Sequence, residues 1–163
     1  ARQYARHLDL ADAITVNPYL GRDALEPFLQ RSEAGVFVLC RTSNPGGADL
    51  QNLELAGGDP LYERVASLVD VWDRHDNVGL VVGATAPEEL ERIRALAPTR
   101  PFLVPGIGSQ GGDLEAAVEH GLADGVGLIN ASRSVIFAAE GEAFDRAARA
   151  EAKRLRRALE RAA

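Results

Sequence analysis

Val104-Pro105-Gly106-Ile107-Gly108-Ser109-Gln110-Gly111-Gly112-Asp113 decides how the rest of the chain is read. An apolar run ends in proline, four glycines follow within seven residues, and a helix-capping aspartate closes the stretch. Glycine lets backbone N–H groups approach an anion closely, and the N-terminus of a following helix adds positive potential. The segment therefore predicts a strand, an anion-binding turn and a helix over Asp113 to His120, closing at Gly121. Downstream the pattern repeats. Gly125-Val126-Gly127-Leu128-Ile129 is a strand candidate, and Asn130-Ala131-Ser132-Arg133-Ser134 follows it. Gln110 can donate from its amide, and Arg133 can grip phosphate oxygens bidentately. One such loop could be only a turn. Two at consecutive strand ends point to a phosphate ligand, held as at the last two strands of a (β/α)8 barrel.

Working toward the N-terminus, three more apolar runs rich in valine and isoleucine complete a set with Pro101-Phe102-Leu103-Val104. They are Ala13-Ile14-Thr15-Val16, Gly35-Val36-Phe37-Val38-Leu39-Cys40 and Val78-Gly79-Leu80-Val81-Val82. Nearly continuous apolar character is what a parallel strand buried on both faces requires. Helical stretches separate the runs. Asp23 to Gln30 is short, and Leu61 to Trp72 carries Leu61, Val65, Leu68, Val69 and Trp72 on one face. Thr85 to Ala97 opens with Thr85-Ala86-Pro87-Glu88, a capping-box pattern. Ala1 to Leu10 reads as a leading helix, and a long amphipathic helix, interrupted at Gly141, ends the chain. The fold class is α/β, built from βαβ units with a parallel sheet, and residues 1–163 read as a single domain. The alternation suits an open doubly wound sheet as well as a closed eight-stranded barrel, of which five strands would be a part.

Polar clusters fall after the strands, where parallel α/β proteins place their chemistry. Asn17-Pro18-Tyr19-Leu20-Gly21 follows the first strand, and Arg41-Thr42-Ser43-Asn44-Pro45-Gly46-Gly47 the second. The Ser43 hydroxyl and Asn44 amide could read a base edge, although Ser-Asn-Pro-Gly by itself is also an ordinary turn. The stretch from Arg41 to Pro60 is long for a βα connection, as lids and binding loops are.

A net charge of −6 makes a nucleic-acid polymer an unfavourable partner, while leaving room for one small phosphorylated ligand in a locally positive pocket. The basic residues Arg149, Lys153, Arg154, Arg156, Arg157 and Arg161 alternate with alanine and glutamate at helical spacing, so they read as a solvated face. Cys40 is the single cysteine, which excludes an internal disulfide and fits a reducing cytoplasm. It reads as a packed thiol. His7, His75 and His120 lie away from the strand ends, and no pair has metal-ligand spacing, so no metal site is expected. No apolar run reaches the ~18 residues of a membrane span. The sequence holds no methionine and opens inside a helical pattern, as a fragment would.

These segments together resemble orotidine 5′-phosphate decarboxylase, in particular its long bacterial branch, type 2. Asp12 to Gly21 looks like that family's fourth-strand segment, Arg41 to Gly46 its loop after the fifth, and Val81-Val82-Gly83-Ala84-Thr85 its sixth-strand end. Val104 to Asp113 resembles the seventh-strand phosphate loop, and Asn130 to Ser134 the eighth. The resemblance implies a (β/α)8 TIM barrel, of which this chain supplies about five βα units. It further implies cofactor-free decarboxylation of orotidine 5′-monophosphate to UMP in pyrimidine biosynthesis, by a protein that is a homodimer at full length. Carried over by motif, Ser43 and Asn44 would meet the pyrimidine, and Gln110 would bridge phosphate and base. Pro105, Gly106 and Gly108 would line the base and root the phosphate loop, and Ser132 and Arg133 would hold the 5′-phosphate. Asn17 and Thr42 are further candidates. One departure is large. The family's proton donor is the lysine of a Lys-x-x-Asp motif on and just after the third strand, and the only lysine here is Lys153. The chain by itself is therefore expected to lack catalytic residues and to be inactive. Two alternatives remain: a sugar-phosphate decarboxylase or aldolase of the same barrel superfamily, or a non-catalytic phosphate-ligand binding fragment.

Overall fold

The valine- and isoleucine-rich runs form five strands: β1 (Ala13–Val16), β2 (Gly35–Arg41), β3 (Val78–Val82), β4 (Phe102–Pro105) and β5 (Gly127–Asn130). The computed structural model describes residues 2–108, 112–122 and 127–162. Ala1, Ser109, Gln110, Gly111, Gly125 and Val126, which the sequence reading used, lie outside the described residues. All strand pairings are parallel and the order is β1-β2-β3-β4-β5. Each crossover thus steps to the next neighbour in one direction. A doubly wound sheet reverses its order at a switch point; this one does not, and it is part of a (β/α)8 barrel.

The helices are α1 (Arg2–Ala5), α2 (Arg22–Leu29), α3 (Ala48–Gln51), α4 (Leu61–Trp72), α5 (Pro87–Leu96), α6 (Leu114–Glu119), α7 (Arg133–Ile136) and α8 (Phe144–Ala162). Val36 and Val38 of β2, Leu80 and Val82 of β3, and Phe102 and Val104 of β4 face the helices and are fully buried. Their neighbours Phe37, Leu39 and Leu103 are only half-buried on the opposite, concave face, and Leu128 of β5 is 58% exposed there. One dry layer and one open layer are what a barrel segment presents, because the concave face of a barrel is filled by side chains from all its strands.

Several local expectations differ from the structure. The leading helix is one turn of α-helix followed by a 3-10 turn over Arg6–Asp9. Thr85 does not cap α5. Ala86 occupies the N-cap position without a side-chain bond, and the Thr85 hydroxyl donates instead to the Ser43 carbonyl at 3.0 Å. Tertiary contact outcompetes the local cap because it also satisfies a loop carbonyl. The long connection after β2 holds its own structure, a 3-10 turn at Pro45–Gly47, α3, and a bridge between Glu54 and Pro60. The interruption at Gly141 is real and larger than expected, since α7 ends at Ile136 and a 3-10 turn over Gly141–Ala143 precedes α8. In α8 only Leu155 is buried, and the basic residues stay exposed. Cys40 is a packed thiol. Its Sγ donates to the Tyr62 carbonyl at 3.2 Å, and burial pushes its pKa up to about 12.

Two arginines hold the lower rim. Arg94 is buried with its guanidinium 3.6 Å from the centre of the Phe102 ring. It donates to the carbonyls of Ala97, Pro98 and Arg100 beyond α5 and to those of His120 and Gly121 beyond α6. A cation at two helix C-termini satisfies carbonyls that helices leave open and complements both dipoles. Arg100 donates to Asp70 at 2.9 Å and pairs with Asp73 at still shorter range. Burial works against the Asp73 carboxylate, but the His75 amide N–H and Arg100 outweigh it and hold its pKa below the ordinary value. The folded carboxylate therefore titrates lower than the unfolded one. Its stabilisation is complete above about pH 5 and is lost as pH falls through the folded pKa. Asp73→Asn should lower the melting temperature at neutral pH and flatten its acid limb; a pH series of thermal melts on both proteins reads this directly.

Candidate functional site

The strand register brings the C-terminal ends of β2, β3, β4 and β5 to one rim, and the loops after them build the site. The loop after β4 turns through Gly106 (φ 106°) and Gly108 (φ 87°), a left-handed region that a side chain strains to occupy. Its stem is stitched by backbone bonds: Ala84 N–H to the Pro105 carbonyl at 2.9 Å, and Gly112 N–H to the Gly106 carbonyl at 3.1 Å. Gly108 lies against Ser134 in the first turn of α7, where a Cβ would come within 2.7 Å of the Ser134 Oγ. The glycine turn after β4 and the arginine-bearing start of α7 are thus close neighbours.

A cleft of about 460 Å³ opens between these loops and the one after β2. Its lining is Arg41, Ser43, Asn44, Pro45, Thr85 and Arg133. The volume falls in the usual range for a small-ligand site. Ser43 and Asn44 come from the end of β2, and Arg133 comes from the end of β5 three strands away. Ser43 is held by the bond from Thr85 and by Gly83, where a Cβ would sit 2.7 Å from the Ser43 backbone. Arg41 is buried beside them. It donates from Nη1 to the Thr42 carbonyl at 2.7 Å, and its Nη2 lies 3.7 Å from Glu89 Oε1. Its Nε is covered and has no hydrogen-bond partner in the structure. Arg41 and Thr85 were not among the residues selected from sequence. Arg41 bears a signal like that of Arg133, an arginine at or just beyond the end of an apolar strand. Thr85 was obscured by its resemblance to a helix cap.

The remaining candidates are placed differently. Asn17 accepts the Tyr19 N–H at 3.0 Å and lines a separate, largely apolar hollow of about 400 Å³ with Leu39, Tyr62 and Trp72. Thr42 is engaged with Gln51 rather than lining the cleft. Pro105, Gly106 and Gly108 form the stem and turn of the β4 loop. Ser132 is exposed at the start of α7 and donates to Asn130 Oδ1 at 3.3 Å. Gln110 lies outside the described residues, so its approach to Arg133 has no geometry here. Among the described residues no group of three or more His, Cys, Asp or Glu is placed to hold a metal ion, and no helix is long and apolar enough to cross a membrane.

Residues 1–147 match the family described as orotidine 5′-phosphate decarboxylase / HUMPS. The chain is 72% identical to the orotidine 5′-phosphate decarboxylase of Halorubrum lacusprofundi, over 85% of this chain and 52% of that protein. It is 65% identical to that of Haloarcula marismortui, over 98% of this chain and 62% of the relative. Among solved structures, Leishmania donovani UMP synthase superposes with a TM-score of 0.81 at 47% identity, covering 95% of this chain and 35% of that one. Leishmania donovani OMP decarboxylase gives 0.80 at 42% identity, covering 97% and 62%. The chain thus spans between 52% and 62% of the length of these two curated relatives.

The Gly83 contact is testable on its own. Gly83→Ala must displace Ser43, and overpacking of this kind costs about 1–3 kcal/mol. A Cβ at Gly57 meets open space, so Gly57→Ala is the control. Urea midpoints should fall for the first variant and hold for the second.

Proposed function

The chain belongs to the orotidine 5′-phosphate decarboxylase / HUMPS family, and from that premise we propose that the full-length protein decarboxylates orotidine 5′-monophosphate to UMP. The observation that carries this reading is the meeting of Ser43, Asn44 and Arg133 around one cleft. An amide and a hydroxyl at one wall suit a pyrimidine edge, and a guanidinium at the other suits a phosphate monoester. Hydrogen bonds to a charged phosphate contribute roughly 1.5–3 kcal/mol each. That energy is generated far from the reacting carbon, so it can be spent on closing the site over a carbanion-like transition state. Gln110 bridges phosphate and base in this reading, with the Gly106–Gly108 turn at the root of the phosphate loop and Ser132 beside Arg133.

Arg41 adds a second guanidinium to the cleft wall, set back by burial and moderated by Glu89. Its part is to raise the local potential for a dianion on a chain whose net charge is −6. The proton donor is not assigned to this chain. Lys153 sits exposed in α8 and does not line the cleft, so residues 1–163 are read as one domain that binds and orients without protonating. The full-length protein is read as a cytoplasmic homodimer that needs no cofactor. Exposed Tyr19 and Leu50, which border the apolar hollow, support an association surface near the site.

Decarboxylation by the full-length protein, followed by loss of the orotate absorbance, tests the assignment. Arg133→Ala should reduce kcat/KM by at least about 100-fold, as expected for removing a charged phosphate contact of a few kcal/mol. The 163-residue chain alone should show no turnover. Calorimetry with UMP and with a pentulose phosphate separates the pyrimidine reading from a sugar-phosphate one, which would be favoured if the pentulose phosphate bound more tightly. Light scattering of the same preparation should give twice the protomer mass.

A further inference from the structure

The loop carrying Ser43 and Asn44 is fastened at a point outside the cleft. Thr42 N–H donates to Gln51 Oε1 at 2.9 Å, and Gln51 Nε2 donates back to Thr42 Oγ1 at 2.9 Å. Arg41 Nη1 reaches the same Oε1 at 3.4 Å while it donates to the Thr42 carbonyl. One side-chain amide therefore uses both its ends on the residue directly before Ser43, and closes the connection from Thr42 to the last residue of α3. Gly47 covers this lock. A Cβ there would stand 2.7 Å from Thr42 Oγ1, 2.9 Å from Gln51 Oε1 and 3.1 Å from Arg41 Nη1. Gly47 has an ordinary helical φ of −59°, so its lack of a side chain serves close approach and not a special backbone conformation.

We infer that Gln51 is a positioning residue for pyrimidine recognition, acting through Thr42 on Ser43 and Asn44. The inference rests on the reading that these two residues meet the base. Gln51 does not line the cleft; it borders the neighbouring apolar hollow. On the far side the Ser43 carbonyl is tied to Thr85. Ser43 is thus fixed at its own carbonyl and, through its preceding neighbour, at the lock, which presets the frame in which donors and acceptors face a planar ring. Preset geometry reduces the ordering cost of binding. The phosphate end of the cleft depends chiefly on Arg133 at the start of α7, and Arg41, which does touch the lock, keeps its bond to the Thr42 carbonyl and its place beside Glu89 without Gln51. A defect at Gln51 should therefore be felt far more by the base than by the phosphate.

Titration of the full-length protein with UMP and with ribose 5-phosphate, which shares the phosphate but has no base, separates a positioning role from a structural one. Gln51→Leu should weaken UMP about tenfold, the equivalent of one lost hydrogen bond, and leave ribose 5-phosphate within about twofold. Gln51→Glu keeps an acceptor for Thr42 N–H and Arg41 and should restore most of the UMP affinity. Gly47→Ala, which forces the lock apart from the other side, should reproduce the selective loss and carries the test should Gln51→Leu not fold. Parallel losses for both ligands, or unchanged UMP binding in Gln51→Leu, would overturn the role of Gln51 alone. A wild-type protein without preference for UMP over ribose 5-phosphate would overturn the base-reading assignment as well.

Discussion

If one strand of this sheet slipped by a single residue, Val36 and Val38 would leave the helix-facing layer and Phe37 and Leu39 would enter it. The same exchange would follow in β3 and β4, because successive side chains of a strand point to opposite faces. Burying each valine, leucine or phenylalanine of that layer contributes about 1.5–3 kcal/mol. Several are displaced at once, so the register is strongly determined. Register in turn sets where each strand ends. Val104 pairs with Ile129 and Pro105 with Asn130, and Arg41 pairs with Val82. The loops that follow start from one rim because the dry layer beneath them leaves the strands no freedom to slide.

On that rim, the polar residues divide by whether they border the cleft. Asn17 is taken up by the Tyr19 N–H, Thr42 by Gln51, and Ser132 by Asn130. Ser43, Asn44, Thr85, Arg41 and Arg133 border the cleft, Thr85 and Arg41 while donating to the Ser43 and Thr42 carbonyls. Two guanidiniums there make a positive locus on an acidic chain, which suits a small anion far better than a polyanion whose charge extends over the whole surface.

Much of this was legible in the residue order. The strand runs of β1 to β5 fall within a residue or two of their expected bounds, since continuous β-branched runs between polar turns have few alternatives. Buried Cys40, the exposed basic face of α8 and the Gly106–Gly108 turn follow from equally local properties. Thr85 was misread because a capping box is also local, and the competing partner, the Ser43 carbonyl, lies 42 residues away. Arg41 and Gln51 were passed over for a similar reason. Gln51 has no motif of its own, Arg41 heads a loop read for its serine and asparagine, and their joint role arises only when α3 folds back onto the end of β2.

By itself the sequence determined the alternation of strand and helix, the family of the chain and the loops that bear its polar groups. These are set by short-range periodicity and by glycine and proline chemistry within a few residues. Only the tertiary structure decided that the strands run in unbroken order around a barrel, that Arg133 stands across one cleft from Ser43, and that Asn17 faces a different hollow. Those outcomes depend on which way each crossover turns and on how side chains far apart in the chain pack against one another, which no local pattern encodes.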